Sequence, residues 1–92
     1  MSDEARLKRI RIRSWRRGMK EMDLILGSFA DSELGLLTTE ELDLYEVVLD
    51  ENDQDLYLWV TARMKGQHSG PAHLASLLDR IATFALDHPV GR

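Results

Sequence analysis

Apolar residues recur at helical spacing along most of the chain, and no stretch keeps the strict alternation of a half-buried strand for more than a few residues. This pattern predicts an all-α fold: a single small bundle of about five short helices, forming one domain over residues 1–92. The first helix is expected from about Glu4 to Trp15, with Leu7, Ile10 and Ser14 on one stripe and Ile12 and Trp15 nearby. Arg6, Arg9, Arg13 and Arg16 lie close together on another stripe. Gly18 interrupts the pattern, because glycine costs about 1 kcal/mol inside a helix and is at home where the chain turns. Beyond it, Met22, Ile25, Leu26 and Phe29 follow the i, i+3, i+4, i+7 rule of a core-facing stripe. With Gly18 as the N-cap, Glu21 falls at the third helical position. From there its carboxylate would reach back to the cap amide and interact favourably with the helix dipole.

Thr38 followed by Glu41 has the spacing of a capping box, which opens a third helix to about Asp50 with Leu42, Tyr45, Val48 and Leu49 inward. Asn52 or Asp53 caps the fourth, which carries Leu56, Trp59, Val60 and Met64 on one face and ends near Gly66. A polar loop, Gln67 to Gly70, follows. Pro71 is placed as the first residue of the fifth helix, where its missing amide proton would be unpaired anyway. Leu74, Leu77, Leu78, Ile81 and Ala85 supply that helix's stripe, and His88-Pro89 is its stop. No composition shift, repeat or low-complexity tract marks a domain boundary.

Composition narrows the classes of function. A 92-residue chain with 43% hydrophobic content has one core to build, and a cofactor cavity of several hundred cubic ångströms would consume much of it. A protein working through its surface is the expectation. The absence of cysteine removes disulfides, thiolate metal sites and cysteine nucleophiles together. The charged N-terminus has no apolar signal region and the apolar runs are short, so a cytoplasmic chain without direct membrane insertion is expected. For a eukaryotic source, a mitochondrial matrix-targeting peptide removed from the chain is compatible with this sequence.

The formal charge of −4 conceals an asymmetry. Residues 1–20 hold eight of the twelve Lys and Arg, whereas Asp31 to Asp55 holds ten acids and no Lys or Arg. Such a layout can steer a partner of complementary charge, or the two regions can face solvent and each other; charge alone leaves these balanced. Nucleic-acid binding through the basic first helix is disfavoured by the overall acidity and the lack of a recognition-helix motif.

Catalytic signatures are missing. There is no GxGxxG and no P-loop, nor the strands that carry them, and the serines lack a nucleophile elbow. His68, His73 and His88 have no metal-site spacing and are expected on the surface. Glu40-Glu41 and Asp53/Asp55 fall in first helical turns, where capping and dipole effects account for them. The unusual feature is Arg16 to Asp23, a dense charge group at a helix junction with a glycine at its centre and two methionines beside it. Glycine lets another backbone approach, and methionine offers adaptable apolar contact. The bland counterpart is an Arg17–Glu21 ion pair between helices, contributing at most about 1 kcal/mol if exposed. The residues alone do not choose between patch and staple.

The run Arg16-Arg17-Gly18-Met19-Lys20-Glu21-Met22-Asp23 resembles the hallmark of the SdhE family of succinate dehydrogenase assembly factors, an RGxxE motif commonly within R-R-G-M-x-E-x-D. The resemblance extends to the length, the basic first helix and the later acidic-aromatic stretch from Glu51 to Trp59. It implies a five-helix bundle that binds the flavoprotein subunit of succinate dehydrogenase, and in bacteria fumarate reductase, and promotes formation of the histidyl-FAD bond. It also implies that Arg17, Gly18 and Glu21 are partner-binding residues, with Arg16, Met19 and Asp23 as motif neighbours. The histidine that receives FAD would belong to the client. The expectation is therefore a monomeric, non-enzymatic chaperone with no catalytic residue, no metal and no stably bound FAD. The alternative from another class is a small regulatory binding protein such as an antitoxin.

Overall fold

The computed structural model of the protein describes residues 2–88, with side-chain detail from residue 4. Helix α1 spans Ser2–Trp15, α2 Lys20–Glu33, α3 Thr39–Leu49, α4 Asp53–Met64 and α5 Ala75–Asp87. Short 3-10 turns at Leu34–Leu36 and Ala72–Leu74 follow α2 and precede α5. The described residues contain no strand, and the all-α expectation holds.

Helix α2 lies at the centre because its stripe is its most apolar face: Met22, Ile25, Leu26, Phe29 and Ala30 are all buried. It packs against α1, α4 and α5. Tyr45 of α3 is fully buried beside Phe29, with ring centroids 5.6 Å apart, and Phe84 of α5 meets Phe29 edge-on, also at 5.6 Å. A buried phenol needs a partner. The Tyr45 hydroxyl lies 2.8 Å from Ser14 Oγ and 3.3 Å from the Leu26 carbonyl oxygen, while Ser14 Oγ donates to the Ile10 carbonyl at 2.8 Å. Burial pushes the Tyr45 phenol up to about 12, with the Ser14 hydrogen bond acting in the opposite direction.

Ile10 and Ser14 occupy the buried stripe of α1, while Ile12 is exposed. Trp15 lies flat over α2 at Gly27, where an added Cβ would come within 2.2 Å of the indole Cδ2. Its Nε1 donates toward the Asp31 carboxylate at 3.2 Å. A glycine inside α2 costs helix stability but admits a tryptophan at backbone distance.

The basic α1 and acidic α3 face each other, which settles the ambiguity left by charge alone. Arg6 reaches Asp43 at 2.6 Å and Glu46 at 3.0 Å, and Arg13 reaches Asp50 at 2.7 Å. These pairs are exposed or half-exposed, so solvent screens them and they add little to stability. They set orientation more than stability. The capping box of α3 is present in both directions, with Thr38 Oγ1 accepting from the Glu41 amide and Glu41 Oε1 accepting from the Thr38 amide. Asn52 caps α4 through its Oδ1, which accepts from the amides of Gln54 and Asp55.

Pro71 does not begin α5. It caps the intervening 3-10 turn in an extended conformation, ψ 143°, and its carbonyl accepts from the Leu74 amide at 3.1 Å. The helix proper starts only at Ala75, with Leu74, Leu77, Leu78, Ile81 and Ala85 buried as the periodicity requires. His88 is its C-cap, and the Pro89 part of the expected stop lies outside the described residues.

Candidate partner-binding site at the α1–α2 turn

The turn between α1 and α2 is built around Gly18, whose φ of +96° is strained for any residue with a Cβ. An added Cβ would meet nothing within 4 Å. Backbone angle, not internal crowding, demands the glycine here, and the space above it is open. This conformation also delays the start of α2. Met19, extended at φ −125° and ψ 119°, is the N-cap, with no side-chain cap bond. Gly18 is therefore not the cap, and Glu21 stands second in the helix, out of capping-box register. Asp23 reaches back in its place, its carboxylate accepting from the Arg17 amide, while the Asp23 amide donates to the Met19 carbonyl at 2.9 Å.

Arg17 does not pair with Glu21. Its guanidinium crosses to the α3–α4 corner, where Nε donates to Asp53 Oδ1 at 2.8 Å, Nη1 to the Leu49 carbonyl at 2.6 Å and Nη2 to the Glu51 carbonyl at 3.0 Å. The side chain is only 9% exposed. A planar fork of donors suits this task, because the last carbonyls of a helix have no partners within it. Among the described residues Glu21 has no ion pair and no side-chain hydrogen bond, and it is exposed in the first turn of α2. Arg16 and Lys20 are exposed as well, and Met19 is half-buried against the core.

Two depressions flank the turn. One of about 490 Å³ is lined by Arg17, Gly18, Met19, Asn52, Asp53 and Gln54. The other, about 290 Å³ and mostly apolar, lies where α2, α4 and α5 meet, with Glu21 and Ile25, then Tyr57, Thr61 and Met64, then Ala85 and Leu86. Gln54, Tyr57, Thr61 and Met64 are spaced three, four and three residues apart, so one face of α4 runs past both depressions.

Comparison with known proteins matches residues 8–85 to the family described as flavinator of succinate dehydrogenase. This chain belongs to that family. Curated relatives carry the description succinate dehydrogenase assembly factor 2, mitochondrial. The Candida glabrata protein is 47% identical over 60 residues, covering 63% of this chain and 39% of the relative. That of Penicillium rubens is 43% identical over 63 residues, covering 66% and 20%, and that of Lodderomyces elongisporus 47% over 57 residues, covering 60% and 35%. The chain thus spans well under half the length of these relatives. No solved structure matches it. The resemblance drawn from Arg16 to Asp23 is borne out at the level of family, and the antitoxin reading finds no support among these relatives.

In this member of the flavinator family the motif divides into two sets of residues. Arg17 and Asp23 are turned inward and hold the turn in shape, whereas Arg16, Gly18, Lys20 and Glu21 face outward. Spacing could not reveal that division, because the partner of Arg17 lies 36 residues away. The residues of the apolar depression, Tyr57, Thr61 and Leu86 among them, were also missed. The available signal was the second α4 face beside the core stripe, with Tyr57, Thr61 and Met64 at helical spacing. His68, His73 and His88 are all exposed, with His88 stacked on Phe84 at 4.1 Å. Among the described residues no three His, Cys, Asp or Glu side chains converge as a metal site, and no helix is long and apolar enough to cross a membrane.

Proposed function

We propose that this chain binds the flavoprotein subunit of succinate dehydrogenase and promotes covalent attachment of FAD to it, acting as a positioning chaperone while the client's own residues carry out the chemistry. The observation that carries this reading is the family match over residues 8–85 combined with an outward-facing turn from Gly18 to Glu21 whose shape is held from within by Arg17. Holding reacting groups in alignment is itself a large source of rate enhancement, so a protein without a reaction centre can accelerate a bond-forming step elsewhere. FAD is handled on the client. This is supported by Arg17, whose guanidinium is turned inward, with three of its five N–H groups held by Asp53, Leu49 and Glu51. Fumarate reductase flavoprotein as a further client falls under the same proposal, as does action as a monomer in the compartment that holds the client.

The test is covalent flavin fluorescence of the client subunit in cells that depend on this protein. Gly18→Arg places a long side chain and a strained φ at the turn, and Glu21→Ala removes the outward carboxylate. Both are expected to reduce flavinylation, with Glu21→Ala leaving the fold unchanged by circular dichroism. Unchanged flavinylation in both variants overturns the proposal.

A further inference from the structure

We infer that the apolar depression between α2, α4 and α5 is a second contact of the same docking surface, and that it takes an apolar side chain of the client followed closely by a lysine or arginine that pairs with Glu21. The inference rests on the function proposed above and names the chemistry of the client segment. Three observations converge on it. First, Glu21 has no ion pair among the described residues, whereas the acids facing α1 from α3 and the α4 start, Asp43, Glu46, Asp50 and Asp53, are all engaged by arginines. Among the acids without an ion pair, Glu21 is the one at the edge of the depression lined by Ile25, Tyr57, Met64 and Leu86. Second, an apolar side chain stands exposed in the lining, Leu86 at 53%. Third, the α4 face from Gln54 to Met64 joins this depression to the open space above Gly18, so a single extended client segment can touch both.

The size and charge select the occupant. A depression of about 290 Å³ lies at the bottom of the range of about 300–1,000 Å³ typical of small-molecule and cofactor sites, and it suits one or two large side chains. A carboxylate at its edge repels the phosphates of a dinucleotide and attracts a cation. An apolar anchor in a pocket with a charge at the rim is the usual division of labour in protein recognition, the anchor setting the lifetime of the complex and the charge its rate of formation.

The experiment measures binding of the whole chain to the flavoprotein subunit, with a photo-crosslinking benzoylphenylalanine placed either at Leu86, in the apolar depression, or at Gln54, beside Gly18. Capture of the flavoprotein subunit from both positions is expected, with the peptide caught at Leu86 carrying an apolar residue within a few positions of a lysine or arginine. Kinetics on point variants complete the test. Leu86→Asp should weaken binding by at least about fivefold through faster dissociation. Glu21→Gln should weaken it about two- to fivefold, through slower association and with a flatter salt dependence. Leu36→Asp, in the 3-10 turn beyond the far end of α2 and about 20 Å from Glu21 along the helix axis, should leave binding unchanged. Capture from Gln54 alone, with Leu86→Asp binding normally, overturns the inference and leaves the proposed function standing. Capture of a second copy of this chain at Leu86, or of a client segment lacking a basic residue, overturns it too. No capture from either position, together with normal client flavinylation in the Gly18 and Glu21 variants, defeats both readings.

Discussion

Replacing Arg17 with alanine removes a guanidinium that makes three hydrogen bonds to the α3–α4 corner and leaves Asp53, 18% exposed, without its cation. Removing one member of a fully buried ion pair costs about 3–5 kcal/mol. Two features lower that figure here. Asp53 keeps some contact with water, and it sits in the first turn of α4, where the helix dipole favours a negative charge by about 0.3–1 kcal/mol. Against this, the carbonyls of Leu49 and Glu51 also lose a charged donor. The balance is a destabilisation of about 2–4 kcal/mol, a large share of the 5–15 kcal/mol typical of a domain, corresponding to a loss of roughly 10–25 °C in Tm. Urea unfolding of the purified chain measures it. Arg17→Lys should recover less than half, since one ammonium cannot span three acceptors, and Asp53→Asn should show much of the same loss, coupled to Arg17 in a double-mutant cycle. Glu21→Ala, by contrast, should stay within about 0.5 kcal/mol of the parent. If Arg17→Ala unfolds at the parent's urea concentration yet fails to bind the client, then Arg17 is a contact residue and its inward role is refuted.

Other consequences follow from the core. Because the buried Tyr45 phenol is held up to about 12 against an ordinary value of 10, the folded chain keeps a proton that the unfolded chain loses. Because burial disfavours the phenolate, stability is unaffected below pH 10 and falls as pH rises toward 12, by on the order of 3 kcal/mol at about 1.36 kcal/mol per pKa unit. Tyr45→Phe should cost about 1 kcal/mol at neutral pH and flatten that alkaline loss, which urea titrations across the range would reveal. Gly27→Ala forces a Cβ into the Trp15 indole and should cost about 1–3 kcal/mol with a red shift in tryptophan emission. An unshifted spectrum would show that α1 and α2 can part without cost. Thr38→Ala should lose about 1 kcal/mol through the α3 capping box, measured by thermal unfolding.

The legible part of the structure was local. The stripes of α2, α3 and α5, the Thr38–Glu41 box and the Asn52 cap all follow from spacings of three or four residues, at which neighbouring side chains on one helix meet whatever the tertiary context. The boundary errors at Gly18 and Pro71 share a cause. Each residue is compatible with a helix start on propensity, and the backbone angles that exclude it, φ +96° at Gly18 and ψ 143° at Pro71, are set by how the chain must turn into the next packed element. Trp15 could be placed only near the α1 stripe, and the missing Cβ of Gly27 is what draws it to the flank of α2.

The sequence by itself determined the helical class, the core-facing stripes and the motif from Arg16 to Asp23 that carries the family resemblance, because these depend on residue type and short-range spacing. Only the tertiary structure decided what the motif's charges do. Arg17 could have faced Glu21, solvent or a partner. The chain folding back through α3 sets a carboxylate and two otherwise unpartnered carbonyls within its reach, and a guanidinium surrounded by matching acceptors stays there. Once Arg17 is spent inward, Glu21 is left facing an apolar depression assembled from three helices far apart in sequence, a juxtaposition that no local spacing encodes.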